Sequence, residues 1–268
     1  KLWLEEFLQY ILLKNHSSKL FYYIWFQMRK NLLLFIILVS FGTLFSQSPN
    51  LGDFDDKPVH FGFALGFNQP GFYLEKKSSH VFLDDSLQSL LVSSKGGFTL
   101  GVITSLNINE NFKIRFVLPS LSFQESEMEY TYLNPSNLQP TVYVKSLRPV
   151  YLDFPVLLKF RTNRINNYAV YGIVGLRYGI DMSSNIDVNN SIDLEDQVIK
   201  LNKHDFGSEI GGGVDLFLEY FKLGIELKLG SGMRNMLYNT PGEEPTKFDN
   251  AIESLRSRVW TLSFTFEG

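Results

Sequence analysis

The chain has 268 residues, 25 Lys and Arg against 28 Asp and Glu, and no cysteine. That excludes disulfides and cysteine-based metal or nucleophile sites. With no long basic run, it also argues against a nucleic-acid partner. Aromatics are plentiful, Phe above all, while mean hydropathy is near zero, a combination that suits strands in which every second residue is polar.

The first element is a targeting segment. Met28-Arg29-Lys30 is followed by the apolar run Leu32 to Val39 and by small residues up to Ser46. A positive start, an apolar middle and a small-residue exit are the order of a secretory signal peptide, so 28–46 is read as cleavable, with cleavage expected near Ser46/Gln47. The apolar run is shorter than the roughly 20 residues a spanning helix needs. Because a signal works only at an N-terminus, residues 1–27 are read as an extension absent from the native protein. Residues 47–58 read as a periplasmic linker. Its Asp53, Asp55 and Asp56 lack the Gly and distant Glu of a calcium loop and are expected to be solvated.

Residues 59–268 alternate as strands do, with side chains on opposite faces at period two. The first strand, Val59 to Asn68, sets Phe61, Phe63, Leu65 and Phe67 against Gly62, Ala64 and Gly66; Gln69 to Ser94 reads as a long connection. The second runs from Lys95 to Asn109, and Asn109-Glu110-Asn111 turns the chain. The third starts at Phe112, with Lys113 and Arg115 opposite its apolar face, and can extend to Leu133. Thr141 to Pro149 reads as an extension of the fourth strand, Val150 to Arg161. That strand carries Leu152, Phe154, Val156, Leu158 and Phe160 on one face and Tyr151, Asp153, Lys159 and Arg161 on the other. After the turn at 163–167 the fifth strand sets Val170, Val174, Leu176, Tyr178 and Ile180 against Tyr171, Arg177 and Asp181. An acidic loop, Ser183 to Lys203, leads to the sixth strand, with Glu209 and Asp215 opposite Phe206, Ile210 and Val214. The seventh, Phe221 to Leu229, carries Glu226 and Lys228. A loop from Asn235 to Ser254 precedes the last strand, Leu255 to Phe266.

Eight strands emerge, and their connections alternate long and short. A soluble sandwich would bury the apolar face, whereas a membrane barrel turns it outward to lipid and keeps polar groups inside. The apolar bands are about 9–11 residues long, enough for a tilted crossing. Phe112, Phe160, Tyr168, Tyr220 and Phe221 flank the short turns, where an aromatic girdle belongs. The fold expected is an eight-stranded antiparallel up-and-down transmembrane β-barrel of the OmpA/OmpX kind, in the outer membrane, with both termini periplasmic and the long loops extracellular. Lys113, Arg115, Asp153, Lys159, Arg161, Arg177, Glu209, Asp215, Glu226 and Lys228 then face a lumen wide enough only for its own side chains. They are expected to pair across it as a structural network rather than line a pore. Pro155 lacks an amide hydrogen, so a bulge is expected there.

Little points to chemistry. His60, His80 and His204 show no metal-ligand spacing, and there is no Gly-x-Ser-x-Gly elbow. Ser231 sits at a strand end, Gly211-Gly212-Gly213 lies within a strand rather than before a helix, and His204-Asp205 with a loop serine is the weak enzymatic alternative. The reading is non-enzymatic, without cofactor, metal or small-molecule substrate.

Two segments carry a family resemblance: His60-Phe61-Gly62-Phe63-Ala64-Leu65-Gly66-Phe67-Asn68 and Tyr151-Leu152-Asp153-Phe154-Pro155-Val156-Leu157-Leu158-Lys159-Phe160-Arg161. With the signal ending Phe45-Ser46-Gln47, the chain resembles the PorT family of Bacteroidetes outer-membrane barrels (SprT in gliding flavobacteria). The second segment is shared by PorT-like barrels in general; the first narrows the likeness. The resemblance implies a barrel needed for type IX protein secretion and gliding motility, with other secretion components as partners and no catalytic residues. A structural or adhesive barrel and a small passive pore are the alternatives.

Overall fold

The computed structural model describes residues 50–77, 87–134, 138–188, 190, 193, 197–242 and 245–268. The signal-peptide and upstream readings and His80 lie outside the described residues. The strands are β1 (Val59–Lys76), β2 (Leu87–Asn107), β3 (Phe112–Leu133), β4 (Pro140–Leu147), β5 (Val150–Arg161), β6 (Tyr168–Asp181), β7 (His204–Phe217), β8 (Lys222–Gly232) and β9 (Ile252–Glu267).

All pairings are antiparallel, and β1 pairs with both β2 and β9, so the sheet closes into a barrel. β4 adds no stave of its own. β3 pairs with β5 through Phe112–Phe123 and with β4 through Ser126–Leu133, so β4 and β5 are one long stave broken at Arg148-Pro149. The barrel therefore has eight staves, as the alternation of turns implied.

Alternation decides what faces outward. Phe61 (64% exposed), Phe63, Phe67, Phe98, Val102, Phe160, Val174, Ile210, Leu227 and Leu262 lie on the outer surface, while lysines, arginines and carboxylates from the same strands are buried. In water this arrangement would leave the whole apolar band exposed, at a large hydrophobic cost, so the outer wall suits lipid and not solvent. Near the short turns Phe112 packs on Phe160 and Phe266 packs on Phe63 and Phe221, giving one end of the outer wall an aromatic rim.

Two strand expectations need correction. β1 runs on to Lys76 and β2 begins at Leu87, where a long connection was expected from Gln69 to Ser94. Above Asn68↔Gly97 the two strands part. β1 continues along β9 as far as Ile252 and β2 along β3 as far as Tyr132. Pro70 is tolerated there because β1 no longer has β2 on one side. Gly96 (φ 95°) supplies the left-handed residue where the β2 register shifts. The expected bulge at Pro155 lies instead on its neighbour. The β5–β6 ladder is unbroken through Pro155↔Arg177, and the irregularity falls in β3 between Phe116 and Ser120.

Inside, apolar side chains form three clusters along the axis. At the long-loop end, Met128, Tyr130, Tyr151, Leu255 and other strand residues pack with Ile199, Leu201, Met236, Leu237 and Phe248 of the loops. The two loops, β6–β7 and β8–β9, also hydrogen-bond to each other, Asn202 N–H donating to the Met236 carbonyl and Tyr238 N–H to that of Lys200. A thin middle layer is made of Ile103, Val117, Leu157, Tyr171 and Ile173. At the short-turn end, Phe54, Ala169 and Phe217 form the third cluster.

Candidate functional site: a filled, charge-balanced lumen

Charged residues occupy the levels between these apolar clusters. At the centre, Arg115 of β3 (1% exposed) donates to Glu226 of β8 at 2.8 Å and to Glu267 of β9 at 2.7 Å. Glu267 also accepts from Lys222 and from the Ser105 hydroxyl, both at 3.0 Å. Lys159 of β5 bonds both carboxylate oxygens of Asp215 of β7, at 2.8 and 2.7 Å, and stands 3.5 Å from the centroid of the Tyr171 ring. The Tyr171 hydroxyl donates to Glu226 at 3.0 Å. Lys228 lies 3.3 Å from Glu209 and 3.7 Å from Glu226. Towards the long-loop end, Arg177 of β6 is shared between Asp153 (3.1 Å) and Asp205 (2.5 Å), and the Ser257 hydroxyl donates to Asp205 at 2.6 Å.

The short-turn end holds what the sequence reading did not anticipate. Residues 50–58, read as a solvated linker, fold into the barrel mouth. Phe54 is buried, stacked on His60 with centroids 3.7 Å apart and edge-on to Phe217 at 5.8 Å. The Lys222 ammonium lies 4.7 Å from its ring centroid. Asp55 bridges Lys113 (3.1 Å) and Arg161 (2.8 Å). The Arg164 guanidinium, 3.8 Å from the Phe217 ring, donates to the carbonyls of Asn50 and Leu51. Asn107 donates to the carbonyls of Asp55 and Lys57. The driving force is elementary: Lys113 and Arg161 point into a narrow lumen and need an anion, and Asp55 is the residue within reach. Burial alone would raise the Asp55 pKa. Arg161 and Lys113 outweigh that and hold it at about 2. Asp53 and Asp56 remain exposed, as expected.

All ten lumenal charges named from the sequence thus have ionic partners in the lumen. Four ions were missed: Asp55, Asp205, Lys222 and Glu267. With them the ion-paired set among the described residues is seven cations (Lys113, Arg115, Lys159, Arg161, Arg177, Lys222, Lys228) and seven carboxylates (Asp55, Asp153, Asp205, Glu209, Asp215, Glu226, Glu267). The glycine run of β7 makes room for it. A Cβ on Gly213 would sit 2.6 Å from the Tyr171 hydroxyl, and one on Gly211 would sit 3.0 Å from the Lys228 Cγ. A cavity of about 50 Å³, whose lining includes Ser122, Gln124, Asp153, Arg177 and Glu209, lies beside the network, room for a few waters.

The remaining candidates do not converge. His204 points outward, its Nδ1 2.9 Å from the Tyr178 hydroxyl, while Asp205 points inward to Arg177. Adjacent strand residues face opposite sides, so the two make no dyad. His60 is stacked under Phe54. Ser231 is exposed on the outer wall opposite Arg258 of β9. Among the described residues no group of His, Asp and Glu could hold a metal ion.

No curated protein matches the sequence. Among solved structures, the chain is similar to Ail, the attachment invasion locus protein of Yersinia pestis (13% identity, 79% of this chain and 100% of that one, TM-score 0.35). It is similar also to OprG from Pseudomonas aeruginosa (13%, 78% and 95%, 0.40) and to the outer membrane protease OmpT from Escherichia coli (11%, 79% and 95%, 0.36). A family model described as an outer membrane protein beta-barrel domain matches residues 45–238, most of the chain and most of the staves. Closed antiparallel sheet, apolar exterior and ionic interior agree with that match, and the chain belongs to the outer membrane beta-barrel domain family, a lipid-embedded barrel of the outer membrane.

Proposed function

We propose that this protein is a closed structural barrel of the outer membrane, acting through the surfaces it presents at its two ends and neither conducting nor catalysing. One observation carries the reading: among the described residues the lumen is filled by levels of paired ions alternating with packed apolar side chains, and packed side chains cap both ends. An open pore needs a continuous aqueous path, and mixed-sign ions at contact distance leave none. The loop end is a folded surface in its own right, with β4 and two mutually hydrogen-bonded loops, which suits an adhesive or docking role. In this reading residues 28–46 are the signal peptide, both termini are periplasmic and the long loops extracellular. Planar-bilayer recordings of the full chain are expected to show no stepwise conductance at moderate voltage; regular unitary steps would overturn the closed-barrel reading.

A second reading keeps the type IX secretion role and the secretion components as partners. Its support is the resemblance in His60–Asn68 and Tyr151–Arg161. Those segments supply His60, Asp153, Lys159 and Arg161 to the interior, so their likeness is accounted for by the way the lumen is filled and supports secretion only through the family. In a clean deletion strain this reading expects proteins with C-terminal sorting domains to be trapped in the periplasm, with release restored by the gene in trans. Normal release would leave the structural or adhesive role standing alone.

A further inference from the structure

The outer wall carries an anomaly that the closed lumen does not explain. Down the outward face of β9 the residues are Arg256, Arg258, Trp260, Leu262, Phe264 and Phe266. Counting from the short-turn end, the apolar band ends at Trp260 and two exposed arginines follow on consecutive outward positions. From Phe266 to Arg258 the strand advances about 27 Å, or about 20 Å in height at a barrel strand's usual tilt. That places Arg258 at the upper edge of an apolar band expected to be about 25 Å tall. The arginines therefore stand at headgroup level, where a guanidinium on the lipid face is tolerated.

Neither side chain has an ion pair or hydrogen bond among the described residues. Elsewhere on the loop-end wall the arrangement is different: Lys95 is paired with Glu127 at 2.9 Å and Arg148 with Glu125 at 2.8 Å. Inside, every one of the seven cations has its carboxylate. Two like charges on one face repel each other, and the outward carboxylate that the register places beside them, Glu75 opposite Ser254, accepts from the Ser254 hydroxyl at 2.5 Å and is not paired with either arginine. The register adds shape. Arg258 lies between Gly71 of β1 and Ser231 of β8, and Arg256 is opposite Tyr73, whose ring is exposed. Small neighbours on both sides leave the Arg258 guanidinium approachable from the bilayer, and two hydroxyl groups stand close to the pair.

A planar fork of donors matched to a tetrahedral oxyanion is the arrangement that arginine serves best. We propose that Arg256 and Arg258, flanked by Gly71, Tyr73 and Ser231 above Trp260, form a binding site for the phosphate of an anionic lipid headgroup in the leaflet at the long-loop end. The proposal rests on the chain's embedding in lipid and not on either reading of its role. The acyl chains of the bound lipid lie along Trp260 and Leu262, so Trp260 reports occupancy.

The test uses the full chain with Trp3→Phe and Trp25→Phe, which leaves Trp260 as its tryptophan fluorophore. It is folded into phosphatidylcholine vesicles containing a minor fraction of phosphatidylglycerol. Bromine is carried on the acyl chains of one lipid or, in a parallel sample of identical composition, of the other. Per brominated molecule, phosphatidylglycerol is expected to quench Trp260 about fivefold more effectively, the preference a juxtamembrane arginine confers on anionic lipid. The preference is expected to vanish in Arg256→Gln/Arg258→Gln while quenching by brominated phosphatidylcholine persists. Equal quenching by the two lipids in the parent protein overturns the site and leaves the embedded barrel intact. A preference that survives the double substitution overturns the assignment to these arginines. No quenching by either lipid removes the embedding and the site together.

Discussion

Arg115→Met is expected to destabilise the barrel by about 3 kcal/mol, more than any single change on its outer face. Removing one partner of a buried ion pair usually costs about 3–5 kcal/mol, because the other charge is left in a low-dielectric interior. Here two carboxylates lose a donor. The loss falls at the lower end of that range because each keeps another partner: Glu267 retains Lys222 and the Ser105 hydroxyl, Glu226 retains Lys228 and the Tyr171 hydroxyl. Arg115→Lys is expected to recover only part of the loss, since a single ammonium cannot bridge two carboxylates as a guanidinium fork does. Adding Glu226→Gln to Arg115→Met restores charge balance, and more than half of the stability should return, since a neutral amide still accepts from Tyr171. Urea unfolding in phospholipid vesicles gives all four values. A loss below about 0.5 kcal/mol, the scale of an exposed surface pair, would show that water screens the lumen and that pairing there is not what holds the staves in register.

Much of this architecture was legible because a barrel in lipid leaves one simple signal, period-two alternation with charges on the minority face. The β8 stretch from Lys222 to Leu229 shows the power of that signal and its limit. Parity places 222, 224, 226 and 228 on one side, which identifies Glu226 and Lys228 as lumenal, and the same parity reaches Lys222. Lys222 lies within that strand and follows from its parity alone, whereas Glu267 and Asp205 each lie one residue outside the strand drawn from its apolar neighbours. An apolar pattern marks where the lipid band ends, whereas hydrogen-bonded pairing continues past it. For the same reason β1, β2 and β9 proved longer than their greasy faces. Continuing the parity by one residue beyond the band reaches both Glu267 and Asp205. Asp55 is different in kind. It lies outside any strand, and its place depends on Lys113 and Arg161 converging from β3 and β5, a tertiary fact with no local trace. The pairing of Pro155 with an irregularity on the neighbouring strand is likewise a property of two strands, so the proline flagged the right level of the wall and the wrong stave.

The second large effect is expected at that mouth, where Phe54 and Asp55 act as a latch for residues 50–58. Phe54→Ala removes a ring packed against His60 and Phe217, a change that in a core costs about 3–5 kcal/mol. In a segment outside the staves it should appear as local opening rather than global unfolding. Hydrogen exchange at the Phe54 amide, which donates to the Leu51 carbonyl at 3.0 Å, is expected to accelerate about a hundredfold or more, since 1.4 kcal/mol corresponds to a factor of about ten. Exchange in β5 and β6 should hardly change. Asp55→Asn is expected to loosen the same amides by about 1 kcal/mol, less than the full worth of holding its pKa at about 2 rather than 3.8, because solvent screens this partly exposed carboxylate. The sign follows from the depressed pKa. The contribution is fully present above about pH 3.8 and is lost as pH falls through about 2, so the parent latch should stay shut across the whole range from neutral pH down to 4. Asp55→Asn should abolish the acid-induced opening because there is no longer a carboxylate to protonate. If instead the parent amides open between pH 7 and 5, some other group controls the latch. The interaction with Lys113 and Arg161 would then be a consequence of closure and not its cause, and the mouth of the barrel would be held by Phe54 and by the backbone contacts of Arg164 and Asn107 alone.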